Sequence, residues 1–440
     1  MMLLSLSLGN SQINSQETNE ESNLLKRNEL QEQFLNLFDQ ERYEESIAIA
    51  TSIVDLTEKT YGSENYKLIT PLNNLASAFY MIDDFDQSKL IFQRCIKLIE
   101  ANQNIISPEL ISPLYGFGLT LNRFEEYDEA VNIFERALRI NHVNAGFYNL
   151  EQLKIHDSLT ESFIGLRDFE KANHHQSFQV YVNKNHFGIE NPMVDESLVK
   201  LAKWYKRSGQ VYFEREIHEE VLERQIKRND QNLGELVETF KNISYSHRRE
   251  GMDIYQSLSP LKKALKAIDE SEEKNLFLKL EVLLDLGDTY NSFGRSESAK
   301  KAYQDCWGLI DEDESMGPII KERFSKPIRV RNVLIPPKYP IKQKDNDTQT
   351  VASGFIAIQY TINLNGNTDN IEIIESEPQK LIDKVAISAI RNTVYRPVYI
   401  DGVPKESIDM VIRHTYSYPL EDIEKTKPKI EDKPLDNPIA

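Results

Sequence analysis

The sequence predicts an α + β multidomain chain: an α-helical solenoid of paired helices, followed by a small module of order ββαβ. Three observations predict it. A signature of an aromatic, two residues and a small residue recurs four times at a step of 42 residues, and the step itself, with one extra residue, carries on through the first 310 positions. From about residue 319 that period gives way to strand-type alternation around one helical stretch. The charge changes at the same place: residues 1–318 carry 34 Lys+Arg and 53 Asp+Glu, whereas residues 319–419 carry 14 and 11.

The whole chain of 440 residues has 52 Lys+Arg and 70 Asp+Glu, a formal net charge of −18, and 40% hydrophobic residues. That apolar fraction supports packed cores and argues against wholesale disorder. A strongly acidic chain repels phosphate, so nucleic acid is not an expected partner. No run of about 18 apolar residues occurs, so no membrane-spanning helix is expected. Seventeen Gly and seventeen Pro are few for this length and favour long helices over a turn-rich β fold.

The N-terminus, MMLLSLSLGNSQ, has a short apolar run before Gly9 and Ser11, and its first basic residue is Lys26. It reads as a signal peptide lacking its basic region, within a leader spanning residues 1–27, with a cytosolic N-terminus as the alternative. The array of helical pairs is expected over 28–311. Its anchors are Tyr43…Ser46, Phe85…Ser88, Tyr127…Ala130 and Phe169…Ala172, continuing to Glu214, Ser257 after one extra residue, and Ala299. Twelve residues before the anchors lie Phe34, Ala76, Gly118, Thr160, Ala202, Tyr245 and Gly287, most of them small. A small residue on the first helix lets the second approach closely, and large residues such as Phe92, Phe134 and Tyr303 fill the space around it. No unit buries its face alone, so the units stack. Glu214 and His218 break the pattern and mark the fifth and sixth units as irregular. Cys95 and Cys306 share one core position five units apart, so they read as small buried hydrophobes and not as a disulfide.

Residues 312–334 read as a linker and 419–440 as a disordered tail mixing Pro and charge. Between them, Ile356, Ile358, Tyr360 and Ile362 alternate with Phe355, Ala357, Gln359 and Thr361 as one strand. Asn365-Gly366 predicts a two-residue hairpin turn with positive φ at both positions, leading to a return strand through Ile371–Ile374. Pro378 to Thr393 reads as a helix, and Ser407 to Tyr416 as a last strand in which Ile408, Met410 and Ile412 alternate with Asp409, Val411 and Arg413.

The period and its aromatic and small positions resemble the tetratricopeptide repeat, in the 42-residue form of kinesin light chains. The resemblance implies a binding scaffold whose inner groove is lined by the first helix of each pair. It points to Asn73, Ser77 and Tyr80 in the second unit, Tyr115, Leu119 and Asn122 in the third, and Lys154, Asp157 and Glu161 in the fourth. Asn and Tyr side chains there could hydrogen-bond an extended peptide. Residues 335–418 resemble the C-terminal domain of TonB, the periplasmic energy transducer of Gram-negative bacteria. The likeness rests on Tyr339-Pro340, Gly354, Asn365-Gly366, Ser376, Asp383, Ala386, Ala389, Tyr395-Arg396-Pro397 and Asp401-Gly402-Val403-Pro404. Thr393 stands where that family usually has Trp, and the family's membrane helix and Pro-rich span have no counterpart in this sequence. The resemblance implies that a partner's extended segment adds as a strand to the sheet edge at Ser407–Tyr416, placing Ile408, Met410, Ile412 and His414 at the contact. The alternative is an edge closed by a homodimer or by the tail.

No catalytic set emerges. His174-His175 are poorly placed to chelate, His218-Glu219 lacks a second His four residues on, and Gly116-x-Gly118 lies within a repeat helix. The expected function is therefore non-enzymatic, with no cofactor and no metal: a periplasmic protein-binding protein with peptide or protein partners, linked to transport across the envelope. The alternatives are a structural or assembly scaffold, and a cytoplasmic location.

Overall fold

The computed structural model describes residues 23–228, 232–251, 253–272, 274–336 and 351–419. The chain divides into two compact units, Met1–Trp204 and Tyr205–Ala440. The first 22 residues, Tyr339-Pro340 and the tail from 420 onward lie outside the described residues, as do the expectations that fall on them.

Helical pairs fill the first unit: α1 (residues 23–39) with α2 (Tyr43–Tyr61), α3 (Ile69–Met81) with α4 (Phe85–Asn102), α5 (Ile111–Arg123) with α6 (Tyr127–Ala145), and α7 (Leu153–Gly165) with α8 (Phe169–Phe187). The first helix of a fifth pair, α9 (Met193–Arg207), crosses the boundary. The expected small positions are buried. Ala76 and Gly118 have no exposed surface or none to spare, and a Cβ at Gly118 would sit 2.6 Å from the Phe134 ring. The residue seven beyond each small position adopts a left-handed backbone: Glu41, Asp83, Glu125 and Arg167, all with φ near +60° (59–61°). A second 42-residue rhythm lies between the pairs, where Asn65, Ser107, Asn149 and Asn191 each accept a hydrogen bond from a backbone N–H two or three residues on.

The second unit continues with α10 (Val211–Lys227), α11 (Leu233–Glu250), α12 (Ile254–Glu270), α13 (Leu276–Ser292) and α14 (Ser296–Glu312). Its left-handed positions are Gly209, Gly251 and Gly294. This corrects the register of the sixth pair. The small position is Ser244, 2% exposed and donating to the Ser257 carbonyl at 2.6 Å, whereas Tyr245 beside it is 38% exposed. The extra residue therefore falls, in sequence, between Gly251 and Ile254. Glu214 does not disrupt its helix either. It is fully buried and ion-paired with Arg249 from α11.

The stretch expected as a linker is structured. Helix α15 (Met316–Phe324) buries Met316, Ile320 and Phe324 in the core of the last pairs, and strand β1 (Ile328–Arg331) follows. The module then runs β2 (Val351–Ile362), β3 (Thr368–Glu377), α16 (Asp383–Asn392), β4 (Val394–Arg396), β5 (Val398–Ile400), β6 (Val403–Lys405) and β7 (Ser407–Pro419). The sheet order is β3-β2-β7, all antiparallel, with separate ribbons β1-β4 and β5-β6. Ile356, Ile358, Tyr360 and Ile362 face inward as expected, packing on Ala386, Ala389 and Ile390 of α16.

Three details differ from the sequence reading. The helix begins at Asp383, because Lys380 takes φ +68° and cannot continue a helix back to Pro378. The Asn365-Gly366 turn has positive φ only at Gly366, so it is a three-residue connection: Gly366 N–H donates to the Asn363 carbonyl, and Asn363 N–H to the Asn367 carbonyl, both at 2.9 Å. The two-residue turn with both φ positive is instead Asp401-Gly402, joining β5 and β6 (φ 47° and 78°). Three short strands thus stand between the helix and the last long strand.

Candidate protein-binding surfaces

The first surface is the row of first-helix side chains on α3, α5 and α7. Asn73, Ser77, Tyr80, Tyr115 and Asn122 are all half-buried on it, as the repeat positions require. Neighbouring helices share hydrogen bonds along the row. Ser112 donates to Asn73 Oδ1 (3.4 Å), Ser158 to the Tyr115 hydroxyl (3.5 Å), Ser162 to Asn122 Oδ1 (2.8 Å), and Asn122 Nδ2 to the Ser158 carbonyl (3.5 Å). Ser77 donates to the Asn73 carbonyl within its own helix. The five residues therefore differ in what they offer. Asn122 has both ends of its amide engaged. The Tyr80 hydroxyl has no hydrogen-bond partner among the described residues, and burial raises its pKa.

Farther along, Asp157 accepts from Lys200 (2.7 Å), Gln179 (2.8 Å) and Gln176 (3.1 Å), beside a cavity of about 310 Å³ lined by Leu153, Gln176, Gln179 and Lys200. Burial works against its charge, but those hydrogen bonds outweigh it and hold the carboxyl below its usual range. Behind this face, His156 Nδ1 and His175 Nδ1 lie 2.9 Å apart. Desolvation, then His175 and its other histidine neighbours, push His156 down to about 3. Desolvation, then His174, push His175 down to about 4. The pair is neutral and packed against Phe163 and Phe178. Among the described residues no group of three or more His, Cys, Asp or Glu is placed to hold a metal. Cys95 and Cys306 are both buried and free.

The second surface is the edge of the module's sheet. β7 pairs with β2 on one side, and among the described residues no strand pairs with its other side. Met410, Ile412 and His414 point toward the module's own core, and His414 Nε2–H donates to the Pro336 carbonyl at 3.1 Å. Ile408 is 67% exposed and out of phase with them. The cause is Asp409, whose φ of +53° inserts one extra residue between the Tyr360–Met410 and Ile362–Ser407 pairs, a β-bulge held by Gln359 Nε2 donating to Asp409 Oδ1. The exposed parts of β7 are its outer backbone and side chains such as Ile408 and Val411, not the inward Met410, Ile412 and His414.

The third arrangement was not anticipated. Asp288 and Asn291 of α13 occupy the repeat positions equivalent to Ser77 and Tyr80, and there the module itself is the occupant. Arg396 on β4 donates twice to Asp288 (2.8 and 2.7 Å), both side chains being under 10% exposed. Asn291 Nδ2 donates to the Tyr395 carbonyl at 2.7 Å, and Tyr303 to Asp288 Oδ1 at 2.9 Å. A Cβ at Gly366 would overlap the Tyr395 carbonyl oxygen, so the hairpin tip must be glycine to lie there. Tyr399 on β5 completes the aromatic cluster of Tyr303 and Phe324. Tyr395-Arg396 was legible as a motif, but no spacing rule links it to a helix 108 residues away.

Comparison with known proteins agrees with these parts. A tetratricopeptide repeat model matches residues 35–101 and a second one residues 280–310, and the model of the Gram-negative bacterial TonB protein C-terminal matches residues 335–416. The chain carries tetratricopeptide repeats and a TonB-type C-terminal module. No curated protein matches. Solved structures similar to it include nearly identical kinesin-light-chain-type repeats from Podosopora anserina (16% identity, 46% of this chain and 97% of that one, TM-score 0.41). BtubC (BKLC) from P. vanneervenii is 19% identical over 53% of this chain and 94% of that one, with a TM-score of 0.38. The C-terminal part of a repeat protein from Cytophaga hutchinsonii is 14% identical over 65% and 98%, with a TM-score of 0.41. Among the described residues no helix is long and apolar enough to cross a membrane. Repeats of this kind form a scaffold for protein–protein interaction.

Proposed function

We propose that this protein is a non-enzymatic docking protein of the Gram-negative periplasm, holding an extended segment of an envelope protein on the outer edge of β7 and a second partner on the α3–α5–α7 face. The observation that carries the reading is the edge itself. β7 is 13 residues long, ends a three-stranded sheet, and has no strand on its other side among the described residues. A row of free N–H and C=O groups of that length is a template for strand addition. The matching TonB C-terminal model supports an envelope setting, and the half-buried Tyr80, whose hydroxyl has no hydrogen-bond partner among the described residues, supports a second contact on the repeats. A link to transport follows from the same likeness.

Placing a photo-crosslinking residue at Ile408 or at Tyr80 in the full chain tests this. Ile408 is expected to capture an envelope protein and Tyr80 a different one, each above the level at exposed Lys301 on a second helix. If neither position exceeds the Lys301 control, the docking reading fails. If Ile408 captures only a second copy of the chain, the module is a dimerisation unit and the scaffold alternative takes its place.

A further inference from the structure

A recess of about 590 Å³ lies in the second unit, lined by Tyr245, Arg248, Arg249, Ser292, Arg329 and Arg331 among others. Four of its eleven lining residues are arginines and none is acidic, in a chain with 70 acidic and 52 basic residues. Arg249 is neutralised by Glu214. The other three form no ion pair among the described residues. Arg248 donates to the Thr289 hydroxyl (3.4 Å), Arg329 to the Tyr395 hydroxyl (3.1 Å), and Arg331 to the carbonyls of Asn392 (3.1 Å) and Ser292 (2.9 Å). Asp285 lies within electrostatic reach of Arg248 without touching it. Lys206, Arg248 and Arg249 also crowd the Tyr245 ring, at 4.7, 5.1 and 5.6 Å from its centre. Guanidinium groups gathered without counter-charges repel one another, and an oxyanion held between their planar forks relieves that repulsion.

The recess falls in the size range of small-ligand sites. An extended peptide is disfavoured, because β4 already lies along α13, the next first helix. The walls come from two sources: α11 and the end of α13 belong to the repeats, whereas β1 pairs with β4 of the module. We propose that this recess binds a small polyanion carrying two oxyanion groups, phosphate or carboxylate, and that the ligand fastens the module to the last repeats. A ligand that binds only the docked arrangement stabilises it by mass action.

The full chain is titrated with pyrophosphate and with succinate by calorimetry, and its thermal unfolding is followed in each at matched ionic strength. Saturable binding is expected for at least one of them, pyrophosphate marking a phosphate ligand and succinate a carboxylate. Affinity should fall about tenfold in Arg248→Gln and in Arg331→Gln, the loss of one charge-assisted contact. At equal ligand concentration the unfolding temperature of the parent should rise more than that of the variants. Arg331 also ties Ser292 to Asn392, so Arg248→Gln, which gives up the long hydrogen bond to Thr289 and the place over the Tyr245 ring, decides the matter if Arg331→Gln fails to fold. The proposal is overturned if neither anion binds saturably, if Arg248→Gln binds as tightly as the parent, if sodium chloride gives the same thermal shift, or if an acidic peptide binds there and both small anions do not.

Discussion

The first-helix face of the repeats has two fates in this molecule. In α3, α5 and α7 its polar side chains bond across neighbouring repeats and leave Tyr80 open. In α13 the equivalent positions, Asp288 and Asn291, grip the chain's own strand β4. The difference comes from charge and burial. Asn and Ser hydrogen bonds are neutral, individually weak and half-exposed. Asp288 holds a buried guanidinium in two charge-assisted bonds, and such a pair tolerates no missing partner. The same scaffold position thus gives an adaptable surface in one region and a fixed joint in the other. Removing residues 319–440 would accordingly strip Asp288 of its partner and Tyr303 of Tyr399, so truncation is expected to damage the last repeats as well as delete the module.

The largest effect expected on this comparison is at the joint. Asp288→Ala leaves the buried Arg396 without its ion-pair partner, and its cost should be about 3–5 kcal/mol. Denaturant unfolding, with hydrogen exchange over 276–331 and 351–419, should show both segments loosening together. The double variant Asp288→Leu/Arg396→Met should lose much less, because it removes both charges. A cost under about 1 kcal/mol for Asp288→Ala would mean that the apolar contacts of Tyr399 and Phe324 hold the joint, not the ion pair.

How much of this was visible beforehand follows from the range of each interaction. The 42-residue period was legible because close helix packing needs small residues at fixed places, and Ala76, Gly118 and Ser88 are buried as required. The sequence shows that one residue is extra but not where it falls. Counting twelve back from Ser257 gives Tyr245 as the small position, whereas counting seven back from the left-handed Gly251 gives Ser244. The caps at Asn65, Ser107, Asn149 and Asn191 keep the same 42-residue step and are a second sequence signal of the period before the extra residue. The strands were legible from alternation, but the turn types were not. Asn-Gly and Asp-Gly both allow positive φ at two positions, so the dipeptides alone do not tell the turn at Asn365-Gly366 from the one at Asp401-Gly402. The joint had no sequence signal, since a single Asp on a helix is ordinarily solvated.

An intermediate effect should separate the regions by pH. In the unfolded chain a histidine titrates near 6.5, whereas His156 and His175 are held down to about 3 and about 4. Between about pH 6.5 and 4 the unfolded state binds protons that the folded state refuses, so stability is lost as pH falls, at up to about 1.4 kcal/mol per pH unit for each group. In the second unit, burial holds His218 at about 4 and lowers His247, with the same sign. Desolvation raises Asp285 there to about 6, and a raised carboxyl contributes stability as pH falls from about 6 toward 3.8, offsetting part of the loss. Hydrogen exchange at pH 6.5 and 4.5 should therefore show peptides within 23–204 losing more protection than those within 205–419, and His175→Asn should shrink the difference. Equal losses in the two regions would show that the histidine pair is not what sets the pH response.

The smallest effect lies in the turns within the helical pairs. The left-handed residue is Glu41, Asp83, Glu125 or Arg167 in the first region and Gly209, Gly251 or Gly294 in the second. For a residue with a Cβ that conformation costs about 1–2 kcal/mol, and glycine avoids the cost while losing more backbone entropy on folding. The two terms nearly cancel for Glu125→Gly, so a gain of at most about 1 kcal/mol is expected. The reverse change carries the same two terms with their signs exchanged. At Gly251, φ is +68° and a Cβ would meet nothing within 4 Å, so Gly251→Ala is clear of steric overlap and should lose about 1 kcal/mol, the strain less the entropy it recovers. Thermal unfolding of the two variants should move in opposite directions. Movement in the same direction would show that the turns are held by their N–H contacts, such as Glu125 N–H to the Asn122 carbonyl and Gly251 N–H to the His247 carbonyl, and that their φ angles follow from those contacts.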